Sequence, residues 1–142
     1  MKAFVLVLTL VLASHFVDVE SRMTVAQIKN ALKGVRKACV AKVGVSTDLI
    51  DDTHKGVFAE DRALMCYLLC CMGMMKTVKN GRYSSAAAAA QVEALLPIEL
   101  IDRAKVVSID CAAQMTSEDD CEAAWQFAKC GFEMDKEVYF FP

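Results

Sequence analysis

The stretch ALMCYLLCCMGMM, residues 63–75, decides how the rest of the chain is read. Its thirteen residues carry no charge and no polar/apolar alternation. A helix that is apolar on every side belongs at the centre of a fold rather than on its surface, and this run is too short to span a bilayer. Cys66 and Cys70 lie four apart, so on a helix both thiols leave from one face. Their Cβ directions are then parallel, a poor geometry for bridging each other. Each is expected to tie the central helix to a different element.

Working outward, the segments on either side read as further helices. Thr24-Val-Ala-Gln27 is a capping box. Val25, Ile28, Leu32, Val35 and Cys39 follow it at helical spacing, with lysines and an arginine on the other faces, until Gly44. Ser46 or Thr47 caps a short second helix that ends near Gly56. Glu60-Asp61 then places negative charge at the start of the central helix, expected over residues 62–78 and stopped by Lys79-Asn80-Gly81. Ser84 or Ser85 starts an alanine-rich fourth helix, and Pro97 suits the first position of a fifth. Ser117 with three acidic residues opens a sixth, which Gly131 is placed to end. The remainder, FEMDKEVYFFP, is an aromatic tail expected to pack. No strand alternation of useful length is seen, so the fold class is all-α.

At 142 residues the chain is one domain. Its start, Met1-Lys2 and then eleven apolar residues to Ala13, has the form of a signal peptide. Cleavage is expected after Ser21, with Ala13 the other candidate. This gives a signal peptide over 1–21, a domain over 22–142, and a secreted, extracellular product. Removing the leader leaves fifteen basic against sixteen acidic residues. So even a balance offers no electrostatic footprint for nucleic acid, and no apolar run predicts membrane insertion.

Catalysis finds little support. The remaining histidine, His54, is alone in a polar loop, and no nucleophile–base arrangement can be built on it. Asp51-Asp52 and Glu118-Asp119-Asp120 lie at helix ends, where dipole and capping account for them. Secreted phospholipases A2 follow a Cys-Cys pair with His-Asp, whereas Cys70-Cys71 here is followed by Met72-Gly73-Met74-Met75. No enzyme, metal or cofactor is expected. Methionines on the central helix opposite an alanine-rich helix instead suggest room for an apolar guest.

Seven cysteines stand in the domain: Cys39, Cys66, Cys70, Cys71, Cys111, Cys121 and Cys130. In a small secreted chain they read as a disulfide framework with one left over, and arithmetic alone does not fix the pairing. With Cys71 set aside, the spacing is C-x26-C-x3-C-x40-C-x9-C-x8-C. In that spacing, in the DRALMCYLLC entry to the third helix and in the Phe-Phe-Pro end, the chain resembles the insect odorant-binding proteins of the six-cysteine type, and most nearly their pheromone- and alcohol-binding branch. The resemblance implies a six-helix, three-disulfide fold enclosing an apolar cavity, with Cys39–Cys70, Cys66–Cys121 and Cys111–Cys130. It implies a small hydrophobic odorant or pheromone as partner (a long-chain alcohol, aldehyde or ester), an olfactory receptor beyond it, a monomer or weak homodimer, and sensillum lymph as the setting. Cys71 departs from the pattern and is read as a buried small hydrophobe, or else as a competing or intermolecular thiol.

The same resemblance names a ligand set. Hydroxyl residues two and seven positions after the third cysteine face the ligand's polar end in alcohol-binding relatives. These positions are Met72, which departs from the pattern, and Thr77, which fits it. Leu68 and Ser108 match pocket-lining positions, and Leu32 offers a wall from the first helix. Tyr139, Phe140 and Phe141 match a C-terminal segment that folds over the cavity. Apart from the resemblance, Phe132 and Trp125 are further ligand-facing candidates, with core packing the other reading of Trp125. A non-olfactory carrier of the same fold and a disulfide-rich protein-interaction module are the other readings.

Overall fold

The computed structural model describes residues 22–142; the expected leader, 1–21, lies outside the described residues. Among the described residues six α-helices and one small hairpin follow in order: α1 Val25–Val43, α2 Thr47–Thr53, α3 Arg62–Met74, β1 Val78–Lys79, β2 Arg82–Tyr83, α4 Ser85–Leu95, α5 Ile98–Ala113 and α6 Asp120–Met134. A 3-10 turn, Lys136–Val138, leads into the tail.

The helix starts follow from side-chain caps. Thr24 and Gln27 form the reciprocal capping box of α1, and Gly44 ends that helix with φ +77. Ser46, Asp61 and Ser84 each accept from a main-chain N–H of α2, α3 and α4. Pro97 is extended and sits just before α5 rather than as its first helical residue. The cap of α6 is Asp119; Ser117 stands outside, accepting from Asp119 N–H and donating to Glu122.

Three boundaries differ from the sequence expectation. Helix α3 stops at Met74, four residues before Val78. Lys76 takes φ +60, its N–H donates to Gly73 and that of Thr77 to Met72, a Schellman ending built without glycine. Beyond it, Asn80-Gly81 is the turn of a two-residue β-hairpin pairing Val78 with Tyr83 and Lys79 with Arg82. Both turn residues have positive φ, as the hairpin's handedness demands. Gly131 does not end α6, which continues to Met134 because the glycine is buried against Val107 of α5.

Helix α3 is central. Leu64, Tyr67, Leu68, Cys71 and Met72 are all buried, and the most extensive helix contact among the described residues is α3 with α6. Its two bridges run to different helices, Cys39–Cys70 to α1 and Cys66–Cys121 to α6, while Cys111–Cys130 joins α5 to α6. Each cross-link contributes about 2–4 kcal/mol, chiefly by restricting the unfolded chain. Cys71 is free and fully buried, and burial pushes its thiol up to about 12. It is a packed apolar group at neutral pH rather than a thiolate.

Candidate functional site

A cavity of about 310 Å³ lies between the end of α3 and helices α1, α4, α5 and α6. That volume is at the lower end of the range for small-molecule sites. Its walls are aliphatic and aromatic: Leu32 and Val35 from α1, Met72 and Met75 from α3, Ala88 and Val92 from α4. Alanine-rich α4 packs mainly on α5, and among its alanines Ala88 reaches the cavity. The room opposite the methionines comes from that small side chain.

Hydroxyl groups interrupt the apolar wall. The Thr77 hydroxyl donates to the Met72 carbonyl at 3.0 Å, so its lone pairs are what remain for a guest. Ser108, buried on α5, shares a 2.5 Å hydrogen bond with the Tyr83 hydroxyl, either oxygen serving as donor. Burial pushes the Tyr83 phenol above its usual pKa, so it remains protonated. Each of these groups is already half-satisfied, which suits a site that must stand empty without a large desolvation penalty.

The tail closes one side. Val138, Tyr139, Phe140 and Phe141 line the cavity. The Arg103 guanidinium holds the tail's base, donating twice to Asp135 at 2.8 Å and once to Glu137. The Tyr67 hydroxyl, rooted in the core, donates to the main-chain oxygen of Pro142 and holds the tip. Between these points Tyr139 packs edge-on against Phe132 and His54 and tilts against Phe141. Its hydroxyl is buried without a hydrogen-bond partner among the described residues.

Of the residues that the sequence singled out, Leu32, Met72, Thr77, Ser108, Tyr139, Phe140 and Phe141 meet around this space. Leu68, Trp125 and Phe132 do not. Leu68 lies one turn before Met72, where a helical side chain leans back toward the N-terminus, and it is sealed into the core with Ala124 and Ala128. Trp125 is on the outer side of α6, its indole N–H donating to Ala59 O at 3.1 Å and Lys129 Nζ lying 5.2 Å above its ring. Phe132 stands behind the tail against Phe58, outside the cavity.

Sequence reading missed Tyr83 and Phe127, both in the wall. Tyr83 had a usable signal, because Asn-Gly between residues of β propensity marks a hairpin, and the hairpin's register turns Tyr83 inward against Phe127 at 4.1 Å between ring centroids. His54 caps the C-terminal end of α2 beside Tyr139, and burial next to Arg36 lowers its pKa.

Comparison with known proteins points one way. The family model described as the PBP/GOBP family matches residues 21–134. General odorant-binding protein 72 of Anopheles gambiae is 26% identical over 120 residues, covering 83% of this chain and 98% of that protein. Among solved structures, odorant binding protein 5 of Apis mellifera aligns with a TM-score of 0.77 at 30% identity, over 85% of this chain and 99% of its own. Odorant binding protein 4 of Chrysopa pallens aligns with a TM-score of 0.75 at 35% identity, over 84% and 99%.

Proposed function

The chain belongs to the PBP/GOBP family, whose members are non-enzymatic carriers of small hydrophobic molecules, and on that premise we propose that it carries odorants or pheromones such as long-chain alcohols, aldehydes or esters. Residues 1–21 act as the leader that sends it out of the cell, into sensillum lymph, where it works as a monomer or weak homodimer and passes its ligand toward an olfactory receptor.

One observation carries the reading: a cavity with predominantly apolar walls that carry a few polar groups, among them Thr77 and the Tyr83–Ser108 pair. Transfer of a chain-like guest from water stabilises the complex by ~25 cal/mol per Å² of apolar surface removed, offset by the cost of immobilising it. A few hydroxyls in an apolar wall orient the guest and favour one with a terminal oxygen over a plain hydrocarbon. Met72 at the other expected hydroxyl position leaves that face apolar and favours longer or less polar ligands. This arrangement supports the alcohol-binding branch.

The experiment is displacement of a fluorescent apolar probe by a series of alcohols, aldehydes, esters and hydrocarbons of equal length, with native mass spectrometry of the secreted protein for co-purified ligand. Saturable binding that ranks oxygenated chains above hydrocarbons is expected. No saturable binding would overturn the carrier reading in favour of a protein-interaction module.

A further inference from the structure

Outside the tail lies a second recess, a groove of about 790 Å³ bordered by α1, the start of α5 and the tail itself. Leu32, Tyr139, Phe140 and Phe141 line both this groove and the cavity, so residues 139–141 border two neighbouring spaces. The two spaces differ in charge. Lys29, Lys33 and Arg36 follow one another along α1 at spacings of four and three, hence on one side of the helix, and all three border the groove. Lys136 approaches from the 3-10 turn, its Nζ 5.0 Å from the centre of the Phe132 ring.

The carboxylates do not cancel this set. Arg36 is held by Asp51 at 2.7 Å, and Glu137 is occupied by Arg103, leaving Glu99 as the other side-chain carboxylate of the groove. Among the described residues, Lys29 and Lys33 are exposed and have no carboxylate within ion-pair distance. Beside them the surface is apolar: Leu32, Leu100, Phe132 and the tail aromatics. Unpaired ammonium groups over apolar surface that shares Leu32 and residues 139–141 with the apolar cavity match one chemistry, a single alkyl chain with an anionic head.

We propose that this groove is the head-group site for a carboxylate amphiphile, a long-chain fatty acid. The carboxylate sits between Lys29 and Lys33, and the chain lies along Leu32 and enters the cavity beside Phe140. The site rests on the carrier reading, because it is the cavity that takes the chain. Its contribution is modest and salt-dependent, since the lysines face water.

The test uses the mature protein and its Lys29→Gln/Lys33→Gln variant, with dodecanoate and 1-dodecanol as competitors of the same apolar probe at pH 7. Neither lysine has a partner whose loss would strain the fold, and the alcohol reports on the cavity in the same variant. Dodecanoate affinity is expected to fall by about three- to tenfold in the variant, and to weaken with added salt in the wild type, while dodecanol is unchanged in both. An unchanged dodecanoate affinity, or equal losses for acid and alcohol, would overturn the proposal. Failure of dodecanol to bind the wild type would instead overturn the carrier reading. Sedimentation with phosphatidylglycerol vesicles separates the other source of anionic heads. Lysine-dependent binding to vesicles, with dodecanoate affinity the same in both proteins, would assign the groove to a lipid surface and overturn the fatty-acid site.

Discussion

Thr77 gives both of its hydrogens to one acceptor: its main-chain N–H and its hydroxyl each lie 3.0 Å from the Met72 carbonyl. The main-chain bond is the longer-range closure of the helix ending, and the hydroxyl bond points the oxygen's free lone pairs at the cavity. An alcohol guest can therefore donate to Thr77, but an aldehyde or ester cannot receive from it without breaking that bond.

Replacing Thr77 with Ala should leave the helix ending intact, because the N–H bond remains. Alcohol affinity is expected to drop by about 0.5–1.5 kcal/mol, with hydrocarbons of the same length unaffected. Probe-displacement titrations of matched pairs measure this, and equal losses for both classes would remove Thr77 from the site.

The Tyr83–Ser108 pair predicts a thermodynamic cycle. Tyr83→Phe or Ser108→Ala alone leaves the surviving buried hydroxyl without its partner, at a cost of about 1–3 kcal/mol. The double variant should recover part of that loss. Urea midpoints of the three variants give the coupling, and strictly additive losses would mean the two oxygens do not depend on one another.

Loss of the Tyr67 hydroxyl releases the tail at its tip. In Tyr67→Phe, ligand dissociation followed by stopped-flow fluorescence should accelerate by roughly three- to tenfold, the equivalent of one hydrogen bond. Deleting residues 138–142 should have a larger effect in the same direction. If neither change alters affinity or release, the tail is no lid.

Acid should expose the start of α6. Asp119 caps that helix by accepting from Glu122 N–H at 2.8 Å and pairs with Arg62 at 2.5 Å, and these bonds hold its carboxyl at about 2. A folded-state value below the unfolded one stabilises above pH ~3.9. That contribution is lost as pH falls through about 2. Asp119→Asn, which retains capping ability, should be less stable than wild type at pH 7 and indistinguishable from it below pH 2. Denaturant midpoints across that interval decide the matter.

The sequence made the helices legible because their signals are local. Caps at Thr24, Ser46 and Ser84, the apolar period of α1 and the uncharged run of α3 each need only a few neighbouring residues to be read. The cysteine spacing carried the family. What stayed hidden depends on contacts distant in sequence. Leu68 and Met72 share a helix face, yet only packing against α6 decides that one is sealed and the other borders a void. Phe132 is as apolar as Phe141, but the tail passes between it and the cavity. Gly131 resembles a helix stop until Val107 is seen against it.

The three bridges join α1, α3, α5 and α6, and none reaches α4. Of the five helices around the cavity, four are thus riveted and α4 is not, a helix resting mainly on α5 with Ala88 inward. Guests of different girth are accommodated most cheaply where the container gives, so α4 is its expansion joint. Its amides should exchange with solvent before those of the riveted helices, and slow most when a guest is bound.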